Sequence, residues 1–448
     1  MITSAGWLLL RQGSGNPLQS LFGLSNDGLQ AALFQTAPLR TAQGGTDRIY
    51  LLSTQSQTLI FRSGRSITDV RTDYLHIDLW AIDATTATVA WRKRLRTYEG
   101  KEREGRILTA FDLLGADGTT LWLNLEGPLG VSLADGSVIA DTARIEQRNP
   151  QLAGKIVNED GYVAFGRNGL QLTLNDASQW RIDAADLSAA PRDTPVSHPD
   201  KIVPPANGRP SSTSSFQIRA LTAGETWLGV LTDKEADALS HAPVIPGRDP
   251  NERPGALQQY LNANHVPSPL NDPLPQPYRL WRARVKQVSA APPGWSKELP
   301  DRWGKRSEFS DYRMLPDSPS FLRAGLLRQH RDAEIPLWYR NPDSVIVLHV
   351  DKLGEAGRLQ LTRIAGPRGA VVWQTPLPFV SLESVMRGEN DLVLWGKGPD
   401  SAGDHKSGET VTLWKMTRID TQTGKTIALD MTTESFTREA ITWSTDAD

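Results

Sequence analysis

Cysteine is absent from the 448-residue chain, which excludes disulfides, thiolate metal sites and a cysteine nucleophile together. No stretch approaches the roughly 18 consecutive apolar residues of a transmembrane helix, so no membrane span is expected. The signatures HExxH, GxSxG, the Walker loop, paired zinc motifs and the EF-hand loop are missing, and with them the short announcements of hydrolysis, nucleotide binding and metal capture. An excess of one charge is lacking as well. The formal net charge is −2, with basic and acidic residues interleaved, the opposite of the basic stripe that binds nucleic acid. No nucleic-acid partner is therefore expected, and the one basic run, "WRKRLR" (91–96), reads as alternation on an exposed strand.

The length admits two to four ordinary domains or one large all-β body. At this mass about three quarters of the unfolded surface is buried on folding, so the core needs no staple. The start, "MITSAGWLLLRQGSGNP" (1–17), has a short apolar core without a basic leader and reads as a first strand, with the stub of a removed targeting segment as the alternative.

Against these absences stands a repeat. "LWAIDATTATVAWRKRL" (79–95) aligns without gaps on "LTRIAGPRGAVVWQTPL" (361–377), matching Leu79 with Leu361, Ile82 with Ile364, Val89 with Val371, Trp91 with Trp373 and Leu95 with Leu377. "MTRIDTQTGKTIALDM" (416–431) follows the same template, with Ile419 and Ile427 in register and alanine in place of the tryptophan. Alternate side chains of a strand face opposite sides, so Ile82, Val89 and Trp91 form a packing face around a polar Asp/Thr/Gly reversal. Weaker copies predict about four strands over 111–142 and three over 161–187, and another turn-then-Trp pattern at Trp295 within 279–299. Unit endings fall near 92, 140, 181, 296, 373 and 427. Four-stranded units recurring every roughly 40–55 residues predict an all-β fold, a β-propeller of about six to seven blades, with "EAITWST" (439–445) a candidate to close it.

Two Pro-rich stretches interrupt the pattern, a connection at 188–215 and an insertion within a blade at 240–278, the second with a helical turn or two at 254–264. Between them, 216–239 reads as two strands of a blade that resumes at Tyr278. The segment 308–344 reads as a further long connection. Long loops in compact domains are often functional. Tyr260 and His265 of the insertion and the Trp338, Tyr339, Arg340 cluster are therefore the candidate binding residues. Two polar pairs, His76 with Asp78 and His349 with Asp351, form the alternative site, since residues two apart on a strand share a face and could form dyads or donate metal ligands.

"LWAIDATTATVAW" and "MTRIDTQTGKTIAL" resemble the repeat of the quinoprotein-like, PQQ-type β-propeller family. That resemblance implies a bacterial protein, placed in the periplasm or cell envelope in preference to the cytoplasm. It also raises an enzymatic alternative, an oxidoreductase holding pyrroloquinoline quinone and calcium, or another enzyme such as a hydrolase, using the central channel, although no position here can be assigned to either ligand. Other family members carry no cofactor and act as scaffolds, one of them a lipoprotein anchored through a cysteine this sequence does not contain. The expectation carried forward is a non-catalytic scaffold, without cofactor, that binds a protein or peptide partner through loops on one face.

Overall fold

The computed structural model describes residues 33–34, 36–61, 70–99, 111–159, 161–166, 169–192, 216–241, 276–288, 306–327, 344–354, 357–399 and 412–430. Contacts divide the chain into two compact units, 1–208 with 432–448, and 209–431. Both are built almost wholly from antiparallel meanders, so the chain is all-β.

Among its described residues the first unit holds three sheets. Sheet I contains β1 (Leu33–Phe34), β2 (Leu39–Thr41), β3 (Arg48–Phe61), β4 (Val70–Asp83) and β5 (Val89–Glu99). Sheet II runs in chain order through β6 (Phe111–Asp117), β7 (Thr120–Leu125), β8 (Pro128–Ser132) and β9 (Val138–Ala140). Sheet III does the same with β10 (Val163–Gly166), β11 (Gly169–Thr173), β12 (Gln179–Ile182) and β13 (Ala189–Pro191). In the second unit, β14 (Gln217–Ile218) joins the later sheet V, and sheet IV comprises β15 (Ala220–Ala223), β16 (Thr226–Leu231), β17 (Arg279–Val288) and β18 (Arg306–Met314). Sheet V continues with β19 (Leu322–Leu327), β20 (Ser344–Val350), β21 (Leu359–Ala365) and β22 (Ala370–Pro376). Sheet VI is β23 (Ser381–Arg387), β24 (Asp391–Pro399), β25 (Thr412–Asp420) and β26 (Thr426–Asp430). Each is the up-and-down meander of a propeller blade.

Strand alternation builds the cores. All six residues of β7 are buried. Leu121, Leu123 and Leu125 pack with Tyr50, Leu52, Ile77 and Leu79 of sheet I, while Trp122 points the other way, into a cluster with Leu170, Leu172 and Ile182 of sheet III. In the second unit β20 does the same: Val345 and Val347 join Leu228, Val230 and Leu280 of sheet IV, and Ile346 and Leu348 join Leu382, Leu392 and Leu394 of sheet VI. Sheets II and V are thus covered on both faces. Each such side chain contributes about 1.5–3 kcal/mol on burial.

The repeated tryptophan locks one sheet onto the next. Trp373 donates Nε1–H to Thr421 O at 3.0 Å in the turn before β26, and a Cβ on Gly424 would lie 2.7 Å from its ring. Trp91 sits the same way over Gly136 of sheet II, where an added Cβ would also meet it at 2.7 Å. The turns are copies too. Asp83 Oδ1 accepts from the amides of Thr85 and Thr86, both at 2.8 Å, and Asp420 Oδ1 accepts from those of Gln422 and Thr423, at 3.0 and 2.7 Å. Their fifth residues, Ala87 and Gly424, share a positive φ of 58° and 71°.

The structure revises several boundaries. The expected connection 308–344 contains most of β18 and all of β19, whose short apolar alternation, "FLRAGLL", was overlooked. The partner of β17 is Arg306–Met314, beyond the expected turn at Trp295. Sheet III has a fourth strand, in which Pro191 is tolerated at the sheet's edge. The segment expected to hold only two strands, 216–239, ends in a helix, α2 (Asp233–His241), the first helix, α1, being Thr142–Arg148. A capping box starts α2: Thr232 N donates to Glu235 Oε2 at 2.9 Å, and Glu235 N to Thr232 Oγ1 at 3.3 Å. The strands β16 and β17 pair directly, with the Pro-rich segment lying in the chain between them. Residues 1–17, 193–215, 242–275, Trp295 and 439–445 lie outside the described residues. No helix among the described residues is long and apolar enough to cross a membrane.

Candidate functional site

Sheet I brings His76 and Asp78 together on β4 within a buried polar face. His76 is held between Gln57, whose Oε1 lies 2.9 Å from Nε2, and Thr97, whose Oγ1 lies 3.1 Å from Nδ1. Burial, followed by the charge of Arg94, lowers its pKa to about 4, so the ring is neutral at pH 7. Asp78, 1% exposed, accepts from Arg92 Nη2 at 2.5 Å and from Arg94 Nε at 2.9 Å. Arg92 also donates to Gln55 Oε1 at 2.7 Å and lies 4.1 Å over the Trp80 ring. The "WRKRLR" run is therefore no exposed strip: alternate arginines fold inward onto a carboxylate that lies opposite Arg94, with Arg92 two residues along the same strand opposite Trp80. Chemically this is a clamp across three strands.

The second pair is divided. His349 is buried in β20, with Nε2 2.8 Å from Thr362 Oγ1 and its ring 4.9 Å from that of Phe321. Desolvation lowers its pKa. Asp351 follows the strand end, exposed, and accepts from Arg358 N at 2.7 Å, a bond that lowers its pKa. Among the described residues no group of three or more His, Asp or Glu side chains could hold a metal ion. Tyr260, His265, Trp338, Tyr339 and Arg340 lie outside the described residues.

The outer strand of each sheet has an edge that pairs with no further described strand. Such an edge templates association unless it is short, charged, bulged or broken by proline. Four of the six carry several charged residues or are only three residues long. The strand β5 carries Arg92, Lys93, Arg94 and Arg96; β9 and β13 are three residues each, the latter ending in Pro191; β18 is charged and bulged. The other two differ. Although β22, "AVVWQTP", bulges and ends in Pro376, it has no charged residue, and the bulge turns Val371 and Val372 outward, 44% and 48% exposed. In β26, "TIALD", the pairing is regular and Ile427 is 46% exposed. Sequence reasoning passed over these edges although their low charge is readable, with Asp430 the one charged residue in the two strands, because the repeat assigned both strands to packing.

No family model matches the chain, and no curated protein does. Among solved structures, it is similar to BamB from Moraxella catarrhalis, at 9% identity over 86% of this chain and 99% of that one, with a TM-score of 0.22. An apocarotenoid oxygenase from Synechocystis is similar at 10% identity over 91% of this chain and 63% of that one, with a TM-score of 0.20. At these values the chain's own residues carry the functional argument.

Proposed function

We propose that the protein is a non-catalytic, propeller-type scaffold that captures an extended segment of a protein partner along the outer edge strands of sheets V and VI. The observation that supports this is a contrast among the outer edges of the described sheets: four carry several charges or are three residues long, while β22 and β26 expose Val371, Val372 and Ile427 along edges that pair with no further described strand. An added strand would gain main-chain hydrogen bonds along the ladder, with affinity tuned by alternate side chains.

The test is solution binding of labelled nine-residue peptides rich in Val and Thr to the full chain. Binding should weaken at least about tenfold in Ile427→Lys or Val372→Lys, since a charge on an edge strand opposes pairing, with the melting temperature unchanged. Equal binding by wild type and both variants would remove the proposal.

A further inference from the structure

Sheet IV carries a separate feature on its outer hairpin. A groove of about 270 Å³ is lined by Arg282 and Arg284 of β17, Arg313 and Asp311 of β18, Glu225 of the β15–β16 turn, and Pro367 of the turn before β22. All belong to the second unit. Arg282 stands directly opposite Arg313 in the ladder, a like-charge pairing that sheets normally avoid. Opposite Ala283 the β18 strand bulges, so that two residues, Asp311 and Tyr312, face one. Tyr312 anchors the bulge by stacking on Trp281 with ring centroids 5.3 Å apart, and Asp311, at φ 51°, turns into the groove. Bulges of this kind re-aim side chains beside functional sites.

Charge is gathered here without being used. Among the described residues, the side chains of Arg284, Arg313, Glu225 and Asp311 have no hydrogen bond or ion pair, although both signs line one groove. Three guanidinium groups against two carboxylates leave the groove net positive. A single small anion would be poorly held at exposed arginines, because water and salt screen it. A chain bearing several carboxylates reaches two or three guanidinium groups at once, and Arg forks match carboxylate geometry.

We propose that this groove binds an acidic polypeptide segment, its carboxylates on Arg284 and Arg313 and a lysine or amide N–H of the same segment on Glu225 or Asp311. The site is independent of the β22 and β26 edges. The experiment is fluorescence anisotropy of an eight-residue Glu-rich peptide with one lysine, titrated with the full chain at low salt beside a peptide in which Gln replaces Glu. The acidic peptide should bind and the Gln peptide should not. Arg284→Gln with Arg313→Gln should weaken binding about tenfold or more, Arg284→Lys with Arg313→Lys should retain part of it, and Ile427→Lys should leave it unchanged. Inorganic phosphate at a few millimolar should not compete. Absence of binding, equal binding by the Gln pair when circular dichroism shows it folded, or full competition by phosphate would overturn the proposal.

Discussion

The strands β5 and β22 come from the same repeat and end with opposite surfaces. Both bulge just before their tryptophan, and both set that tryptophan over a turn glycine of the next sheet. Beyond it they diverge. In the alignment Asp78 corresponds to Gln360 and Arg92 to Gln374. The first pair is a buried ionic clamp, whereas in the second Gln374 Nε2 donates to Gln360 Oε1 as an amide pair near the surface. The template therefore holds the sheet-to-sheet face constant and leaves the other face free to become either a sealed interior or an open margin.

Removing the centre of each pair should break this comparison open. Asp78→Ala removes the carboxylate shared by two largely buried guanidinium groups, 11% and 16% exposed in their side chains, and should cost about 3–5 kcal/mol. Gln360→Ala should fall within about 0.5 kcal/mol, as surface changes do. Urea unfolding of the two variants checks both, and equal losses would mean that the clamp carries no special weight.

The shared face gives the next largest effect. Trp373→Ala should cost about 3 kcal/mol or more, since the ring is 7% exposed and bonded to Thr421 O. Trp91→Ala should cost less: its ring is only half-buried, and its Nε1 has no acceptor among the described residues. Thermal unfolding orders the two.

These two tryptophans show what could be read from the sequence. The matched positions in 79–95 and 361–377 put both rings against the next sheet, but the expected shared face of Val89 and Trp91 fails, because a bulge before each tryptophan breaks the period-two alternation and turns Val371, the partner of Val89 in the repeat, outward. The same alternation could not say that Arg92 and Arg94 turn inward. That depends on Asp78, a strand away, and on burial of a face whose composition looks solvent-bound. Helix α2 was legible in "TDKE", but its capping box was masked by the expectation of a blade strand. The groove arginines of β17 alternate as Arg282 and Arg284, yet their convergence with Arg313 and Glu225 is set by a bulge that composition does not announce.

A pH titration sharpens the contrast inside sheet I. His76 titrates near 4 in the folded chain and near 6.5 when unfolded. Between those values the unfolded chain binds more protons, so stability is complete above about 6.5 and declines as pH falls toward 4, by roughly 2–3 kcal/mol. His349, lowered for the same reason, contributes with the same sign. Melting temperature measured across this window should fall less steeply in His76→Gln than in wild type, and parallel profiles would assign the slope elsewhere.

The smallest effect tests the equivalence of the turns. Ala87 and Gly424 occupy the same left-handed position, which costs an L-residue roughly 1–2 kcal/mol. Glycine at 87 would remove that strain but add freedom to the unfolded chain, so Ala87→Gly should gain only about 0.5 kcal/mol. Gly424→Ala should lose more than the strain alone, because the new Cβ would press against Trp373 at 2.7 Å. Opposite signs in chemical denaturation would show that one turn geometry serves both sheets with different tolerances. If both changes were neutral, the position would not be held left-handed in solution, and the tryptophan would need another anchor than the turn beneath it.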